Sequence, residues 1–383
     1  MDEVVRYTYR LRPGRTAEKA LLAEWGRCRW LWNEAVHQQK SGRKPTFARL
    51  GKLLTQARAT MPWLREGSQV AQQQTLRDYA RALDQSFTVK GRGRPKTKSR
   101  KTSLPSLEYT KRGFALREGR LILPKGITIP VVWSRELPSE PTSVRISRDS
   151  LGHWYASFVV RREITDHPHG QGDIGIDWGV STTATTTDPA FDLPYLGHRR
   201  RCAAQLAKAQ RTMARRHRKV RPQSRGYAEA KRHAARLAKK ATRQTAHDSR
   251  VWAKHVVGHH DLIAIEDFKP TFLAKSTMAR KAADAAIGAA KRELVERARR
   301  AGRTVVMVRP AYTTMTCSSC FTRAKERLEL HERNFRCEDC GFADTRDRNA
   351  ARVILAVAER GHVGVEDVRQ ADHLLRAGGS VAV

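Results

Sequence analysis

Four cysteines in the C-terminal third of the chain have the spacing of a metal site. They form two pairs, Cys317–Cys320 and Cys337–Cys340, each C-x2-C, with sixteen residues between the pairs. This arrangement is typical of structural zinc. Four thiolates complete a tetrahedral shell and leave no open position, so this zinc ion would fold the segment and take no part in a reaction.

The alternative for these cysteines is a pair of disulfides. We disfavour it because the sequence shows no secretory signal and contains six cysteines in 383 residues, which is sparse usage. We therefore predict Zn²⁺ bound by Cys317, Cys320, Cys337 and Cys340. Cys28 and Cys202 stand apart in sequence, and we expect ordinary buried thiols there.

Three acidic residues are the candidates for catalysis. Asp177 stands in a strand between Gly175 and Gly179, and alternation places all three on one face, where a metal ion or phosphate could come close. Glu266 ends an apolar strand, the position where α/β sheets carry their sites. Asp347 opens a helix, where a carboxylate suits the macrodipole. Each has a structural alternative: a helix cap for Asp347, a solvated strand end for Glu266 and its neighbour, a buried ion pair for Asp177.

Taken together, the three acids predict a metal-dependent hydrolase. Three carboxylates on separate elements could hold two divalent ions roughly 4 Å apart, as phosphodiester hydrolysis requires. Hard oxygen ligands favour Mg²⁺ or Mn²⁺ over softer metals. The zinc segment must lie nearby, because only six residues separate Cys340 from Asp347. That distance cannot exceed roughly 25 Å along an extended chain.

The charge of the chain indicates the class of partner. Lys and Arg number 74 against 38 Asp and Glu, a net charge of +36. Such an excess favours a polyanion, and nucleic acid above all. A membrane surface is disfavoured, since we find no run of 18 apolar residues, no lipidation motif and no basic stripe beside an apolar helix face.

The elements that would position these residues fall into two regions. Residues 4–11 alternate as a half-buried strand, 16–90 have helical periodicity, and 105–162 contain short strands between Gly and Pro turns. We predict a small β-barrel interrupted by a helical insertion. Four tryptophans in that insertion fit an aromatic core better than base stacking; they are Trp25, Trp30, Trp32 and Trp63.

A shift in composition at 163–172 predicts a domain boundary. Beyond it strands alternate with helices, which indicates an α/β domain. We predict a strand pair at 173–187, a basic helical hairpin at 198–257, a strand at 262–268, a helix at 276–300 and a strand at 304–309. The zinc segment and a helix at 347–360 follow.

Residues 91–101 are nearly all charged, Gly or Pro, so we predict a loop there. A solvated linker is one interpretation, and a phosphate-contacting loop is the other. On the second, the contacts would be Arg92, Arg94, Lys96, Lys98 and Arg100.

These motifs together resemble one family. GIDWG around Asp177, IAIED around Glu266 and DRNAARVIL from Asp347, just after a four-cysteine knot, are similar to the TnpB family of transposon-encoded RNA-guided nucleases, ancestral to type V CRISPR effectors. The resemblance spans about residues 4 to 358. The ordered set of motifs is highly specific, whereas any single one is weak.

The resemblance implies a multidomain α/β protein with an RNase H-like (RuvC) nuclease domain, whose metal-binding triad would be Asp177, Glu266 and Asp347. It also implies the domain limits: a wedge β-barrel at 1–12 and 105–165, a helical recognition lobe at 13–104, the nuclease domain at 170–310 and 341–360, a zinc ribbon at 311–340 and a C-terminal tail at 361–383.

The implied partners are a transposon-derived guide RNA and double-stranded target DNA beside a short flanking motif. By the same resemblance the helix from Ser68 to Phe87 faces that motif, through Gln69, Gln72, Gln73, Gln74 and Arg77, since glutamine can pair with adenine. An exposed helix face is the alternative. One departure is visible: the family often has an acid two residues before the last catalytic Asp, where this chain has Thr345, with Asp344 one place earlier.

The function expected from these features is RNA-guided, Mg²⁺-dependent DNA cleavage in the bacterial cytoplasm, in association with the nucleoid. A guided DNA-binding regulator that does not cut, or a compact CRISPR effector, is the alternative. A plain zinc-ribbon transcription factor would leave the three acids unexplained. The sequence does not decide between one and two copies per guide, and we favour one.

Overall fold

A computed structural model describes residues 2–42, 45–163, 170, 172–267, 278–324 and 332–360. The chain divides into two compact units, residues 1–164 and 165–383. The break lies inside the segment 163–172, where the composition changes. No helix in these ranges is long and apolar enough to cross a bilayer. The predicted C-terminal tail at 361–383 lies outside the described residues.

The first unit contains a helical bundle. Its helices are α1 (Arg15–Lys40), α2 (Phe47–Thr60), the short α3 (Pro62–Arg65) and α4 (Gln69–Thr88). Side chains at the N-caps satisfy free amides, Thr46 accepting from Arg49 and Ser68 from Ala71. Leucines and alanines of α1, α2 and α4 share a core, in which the Tyr79 hydroxyl donates to the Ala35 carbonyl at 3.0 Å.

A seven-stranded antiparallel sheet completes the first unit. Its strands are β1 (Asp2–Leu11), β2 (Ser106–Thr110), β3 (Ala115–Arg117), β4 (Arg120–Leu123), β5 (Ile127–Val132), β6 (Ser143–Arg148) and β7 (Trp154–Glu163), in the order β2-β6-β7-β1-β5-β4-β3. Alternate residues of β1 are buried, as predicted. All these strands except β3 contribute buried residues to one core. Within the described ranges no hydrogen-bonded ladder joins the two edge strands β2 and β3. The small β-barrel therefore stays a prediction.

The tryptophans of the bundle divide between two cores. Trp25 lies in the sheet core and Trp32 in the helical core, so α1 packs on both sides. Trp30 meets Trp63 edge to face with ring centroids 6.0 Å apart, and Trp63 is partly exposed.

A five-stranded mixed sheet forms the centre of the second unit. Its strands are β8 (Asp173–Trp178), β9 (Thr182–Thr186), β10 (Leu193–Pro194), β11 (Leu262–Glu266) and β12 (Thr304–Val308), in the order β10-β9-β8-β11-β12. β8, β11 and β12 are parallel, while β9 and β10 run antiparallel to their neighbours. The mixed α/β class predicted from the sequence is confirmed.

Helices cover this sheet. They are α5 (His198–Arg216), α6 (Arg225–His259), α7 (Ala279–Ala285), α8 (Ile287–Arg300) and α9 (residues 346–360). The prediction of one continuous helix at 276–300 is wrong, because the chain turns at Ala286, where φ is +57°. A tertiary contact fixes this region: buried Asp284 accepts hydrogen bonds from the amides of Arg199 and Arg200 at the start of α5.

Between β12 and α9 lies a small ribbon with a two-stranded antiparallel sheet, β13 (Asn334–Arg336) and β14 (Ala343–Thr345). β14 runs directly into α9, so the ribbon extends to Thr345.

Candidate active site and zinc ribbon

Asp177 lies at the end of the central strand of the second sheet. Ile174, Ile176 and Trp178 of β8 enter the core on one face. The other face carries Gly175 and Asp177. A Cβ on Gly175 would lie 2.0 Å from the Ala351 carbonyl of α9, so only glycine permits α9 to pack this closely. The prediction that Gly175 leaves room for a metal ion or phosphate is wrong, because α9 occupies that space.

Glu266 lies on the neighbouring strand beside Asp177. The β8–β11 register pairs Ile176 with Ile265, which places Glu266 next along the ladder. The Thr313 hydroxyl hydrogen-bonds its carboxylate. The Lys291 ammonium donates to the Glu266 carbonyl at 2.9 Å and contacts Asp267 at 3.4 Å. The side chain of Glu266 is thus held from the side of the ribbon and its backbone from α8.

Asp347 is the second residue of α9, and the ribbon contacts it and its helix. Arg333 of the ribbon brings its Nη1 atom within 3.9 Å of Asp347 Oδ1. Asn349 is fully buried, accepts from the Ser318 amide at 2.8 Å and donates to the Thr316 carbonyl at 2.7 Å. Because Ser318 lies between the first two cysteines, Asn349 fastens the metal-binding turn directly to α9.

A second contact fixes α9 to the sheet. Arg348 donates to the Thr186 carbonyl and to Asp192, both at 2.8 Å. Asp344, by contrast, forms an ion pair with Arg352 at 2.9 Å. Asp344, which lies one place before the family's accessory position, is therefore paired with a residue of α9.

Burial and neighbouring charges raise the pKa values of two of the three acids. The pKa of Asp177 is raised well above its ordinary value, first by burial and then by the charges of Glu266 and Asp347. Burial also raises the pKa of Glu266 to about 7, although Lys291 and Thr313 oppose the shift. Buried carboxylates that repel one another are stabilised by a cation, so the donor set fits Mg²⁺ or Mn²⁺.

The three acids are not grouped in the way that the four cysteines are. In the part of the chain that the structure describes, the four cysteines are the one group of three or more His, Cys, Asp or Glu side chains close enough to share an ion. Asp177, Glu266 and Asp347 are not among the residues of that group.

The four cysteines have the geometry of a tetrahedral metal site. All four sulfur atoms lie within 4.8 Å of one another, with Cys317–Cys340 at 3.7 Å and Cys320–Cys337 at 3.6 Å. A tetrahedron with Zn–S bonds of about 2.3 Å has sulfur–sulfur edges of about 3.8 Å. The thiols are free of disulfides, which removes the alternative prediction.

Matching backbone turns present the two cysteine pairs. In the first turn the Cys317 amide donates to Thr322 and the Phe321 amide to Cys317; in the second the Cys337 amide donates to Phe342 and the Gly341 amide to Cys337. Phe321 and Gly341 both have positive φ, +58° and +73°. The turns are therefore shaped by their own hydrogen bonds, and the sulfur atoms are held in place for a metal.

Helix α4, which was predicted to contact the flanking-motif DNA, exposes most but not all of the predicted contact residues. Gln69, Gln73 and Arg77 are exposed on α4 and line a cleft of about 300 Å³ between α2 and α4. The prediction for Gln72 is corrected, because it is fully buried and both ends of its amide are engaged, with Arg58 at 2.8 Å and the Leu64 carbonyl at 2.8 Å.

The basic segment 91–101 forms a loop anchored to α1. The Trp32 indole donates to the Lys96 carbonyl and the Asn33 amide to the Lys98 carbonyl, both at 2.9 Å. The side chains of Arg92, Arg94, Lys96 and Arg100 are exposed. Lys98 differs from them: its ammonium lies 3.3 Å from the centre of the Trp32 ring, and burial lowers its pKa.

Sequence reasoning did not single out four residues beside the acids: Lys291, Thr313, Arg333 and Asn349. Asn349 stands within the motif DRNAARVIL and Thr313 lies four residues before Cys317, so their closeness in sequence to predicted ligands was a usable signal. Lys291 and Arg333 look like any other cation in a chain with 74 of them. The exposed cations of the α5–α6 hairpin were likewise predicted only as a basic helical region.

Comparison with known proteins matches two stretches of this chain to family models. A family model described as "Probable transposase" matches residues 157–277, and one described as "Cas12f1-like, TNB domain" matches residues 288–354. The two matches include Asp177, Glu266, Asp347 and the four cysteines.

Two relatives align along nearly the whole chain. A protein of Streptomyces pristinaespiralis, named as an RNA-guided DNA endonuclease, is 32% identical over 372 residues, which cover 93% of this chain and 90% of the relative. InsQ of Escherichia coli (strain K12), named in the same way, is 28% identical over 382 residues, with 93% and 92% covered.

Among solved structures, the cryo-EM structure of a Cas12f1–sgRNA–target DNA complex superimposes with a TM-score of 0.57 at 12% identity, covering 92% of this chain and 98% of that one. At this identity the likeness shows a shared fold.

Proposed function

The chain belongs to the TnpB family, and on that premise we propose that it is an RNA-guided DNA endonuclease that binds a transposon-derived guide RNA and cuts target DNA beside a short flanking motif. The two relatives that align with 93% of this chain are named for RNA-guided DNA cleavage. The observation that carries the proposal within the molecule is geometric: Asp177 and Glu266 are neighbours on adjacent parallel strands, and α9, the helix that carries Asp347, packs against Gly175 of the same strand as Asp177.

We assign the second unit as an RNase H-like (RuvC) nuclease domain with an inserted zinc ribbon. The strand order β10-β9-β8-β11-β12, with three adjacent parallel strands from the centre of the sheet to one edge, supports the assignment. In the first unit the seven strands would form the wedge domain and α1 to α4 the recognition lobe. Zn²⁺ would have a structural role, since four thiolates close its shell.

Asp177, Glu266 and Asp347 would hold Mg²⁺ or Mn²⁺. Three carboxylates on separate elements could divide two such ions among them. When bound, such ions activate water for attack on phosphorus and neutralise the charge that develops on the phosphate.

The surrounding residues orient these acids. Thr313 and Lys291 hold Glu266 in position, and Asn349 and Arg348 fix the helix that carries Asp347. Arg333, more than half exposed beside Asp347, is placed to contact a phosphate of the bound strand. No protein nucleophile is needed.

We infer the nucleic-acid contacts from which of the predicted side chains are exposed. Gln69, Gln73 and Arg77 are proposed to meet the flanking-motif duplex, and the exposed cations of the loop 91–101 to contact phosphates. Gln72 and Lys98 are omitted because their polar ends are already engaged. The protein would act in the bacterial cytoplasm on nucleoid DNA, with one copy per guide.

The test is a reconstitution. The protein is expressed with its flanking genomic DNA, the copurified RNA is sequenced, and the complex is challenged with a plasmid library that varies the sequence beside the target. We expect cleavage in Mg²⁺ for a subset of flanking sequences and none without guide RNA. Target binding without cleavage in any member of the library would instead support a guided regulator, and a repeat array beside the gene would identify a CRISPR effector.

A further inference from the structure

One exposed aromatic residue beside the acids has an unusual backbone conformation. Tyr312 has φ of +64° and is 51% exposed. A bulky L-residue in this region is a conformational outlier, and such strain persists only where the surroundings impose it.

The surroundings of Tyr312 impose this conformation through the backbone. Its carbonyl accepts hydrogen bonds from the Met315 amide at 2.9 Å, from the Thr316 amide at 3.0 Å and from the Thr316 hydroxyl at 3.0 Å. This turn begins the zinc ribbon. Glycine would adopt it without strain, so the turn itself gives no reason for a tyrosine ring.

The position of the ring offers a reason. Tyr312 directly precedes Thr313, whose hydroxyl bonds the Glu266 carboxylate, so the two Cα atoms are about 3.8 Å apart. The Arg323 guanidinium lies over the Tyr312 ring at 3.0 Å from its centre. With one face covered by a cation and half of its surface open, the ring is fixed in orientation at the edge of the active site.

We propose that Tyr312 and Arg323 form a stacking platform for one base of the single-stranded DNA segment beside the scissile phosphate. The face of the Tyr312 ring can stack on any base, which suits cleavage of targets of any sequence. The Arg323 guanidinium adds attraction for the adjacent phosphate. This proposal rests on the proposed function, because it places the platform beside that active site. It adds Tyr312 and Arg323 as residues that position the substrate strand.

Replacing Tyr312 by glycine separates this role from a structural one. Glycine relieves the backbone strain, so Tyr312→Gly should melt no lower than the wild type and keep its zinc. Its single-turnover cleavage should nevertheless be about tenfold slower, the loss expected for one base stack. Tyr312→Phe keeps the ring and should cut within about twofold of wild type.

Glu118→Gly is the matched backbone control. Glu118 is another exposed residue at positive φ, +50°, in the turn between β3 and β4. That variant should gain stability in the same way and cut at the wild-type rate. A Tyr312→Gly protein that is folded, zinc-loaded and as fast as wild type would overturn the proposal.

A second measurement does not depend on cleavage. Single-stranded DNA carrying 2-aminopurine is titrated with the purified protein in Ca²⁺ in place of Mg²⁺, and stacking on the ring quenches the fluorescence. Quenching that is kept in Tyr312→Phe and lost in Tyr312→Gly supports the platform, whereas equal quenching in all variants rejects it. Should the wild type bind DNA in this manner but fail to cut any target, the proposed function fails and the platform stands.

Discussion

At the scale of single residues, the cost of burying like charges explains the site. Asp177 and Glu266 are each about 7% exposed and adjacent on parallel strands, and burial is the largest cause of both raised pKa values. A site that repels its own charges in the absence of metal binds cations for the same reason. Protons compete with those cations, so the affinity for Mg²⁺ should weaken as pH falls below about 7.

The raised pKa of Glu266 predicts how stability without magnesium depends on pH. Its pKa is about 7 in the folded protein against an ordinary 4.5. Between these values the folded state binds more protons than the unfolded state, so this residue lowers the free energy of unfolding as pH rises through the window. The complete penalty, reached above pH 7, is about 3 kcal/mol.

Urea unfolding of wild type and Glu266→Gln in magnesium-free buffer measures this penalty. Glutamine cannot ionise, so the variant should gain stability relative to wild type by about 2.5 kcal/mol more at pH 8 than at pH 5, where a small part of the penalty is already present. An advantage of equal size at both pH values would show that Glu266 does not titrate in this window.

Two neighbouring residues of α4 also show what the sequence alone could not predict. Gln72 and Gln73 are neighbours, and composition gives no basis for separating them. The helical period puts Gln72 on the face of the buried Leu76 and Tyr79, and contacts with Arg58 and the Leu64 carbonyl, more than seven residues away, satisfy its amide there. Lys98 was predicted with the exposed cations, since nothing local reveals Trp32 beneath it.

At the scale of elements, the active site depends on how α9 packs against β8 and the ribbon. The strands and the helix that carry the three acids were predictable, because alternation and apolar runs are local signals. The break at Ala286 was not, because it accompanies the capping of α5 by Asp284, a contact between distant segments. The conformation of Tyr312 likewise has no signature in the sequence.

Gly175→Ala tests the packing of α9. The added methyl would lie 2.0 Å from the Ala351 carbonyl and 2.9 Å from Leu355, so α9 must shift and carry Asp347 with it. We expect a loss of about 3 kcal/mol in stability and a cleavage rate about 100-fold lower, measured by urea unfolding and single-turnover kinetics. Gly172→Ala, with no atom within 4 Å of the new methyl, is the control and should match wild type. Equal behaviour of the two variants would refute the packing argument.

Loss of zinc should impair both folding and cleavage. Asn349 joins the first cysteine turn to α9, so a ribbon that unfolds releases the helix bearing Asp347. Cys337→Ser should lose its zinc, melt at a lower temperature and cut at least tenfold more slowly. Atomic absorption and cleavage rates measure the effect, and Cys202→Ser, outside the cluster, is the control. A Cys337→Ser protein that cuts at the wild-type rate would contradict the coupling.

At the scale of the whole molecule, charge determines how the protein meets its partners. A net charge of +36 requires neutralisation, and the long basic hairpin of α5 and α6 adds exposed cations to those of the loop 91–101. The sequence predicted the class of partner from this charge. It could not predict which cations are free to bind, since that depends on the neighbours that folding provides.

Salt dependence measures this contribution. Raising salt from 50 to 200 mM should weaken guide RNA binding by about 10³-fold, as expected for six or more phosphate contacts. Arg92→Gln combined with Arg94→Gln should reduce the slope of log affinity against log salt by about 2. Lys98→Gln should leave that slope unchanged, because its ammonium is packed on Trp32. A slope that does not respond to the arginine pair would remove the loop from the RNA-binding surface.

The most direct test of the account is the single-turnover cleavage rate of guide-loaded protein in Mg²⁺, compared between wild type and Asp177→Asn. Asparagine keeps the size of the side chain and removes the charge that couples to Glu266 and Asp347. We expect full binding of guide and target with cleavage reduced at least 10³-fold, about 4 kcal/mol of lost transition-state stabilisation. Cleavage by Asp177→Asn within tenfold of the wild-type rate would contradict a metal-binding centre built on these three acids.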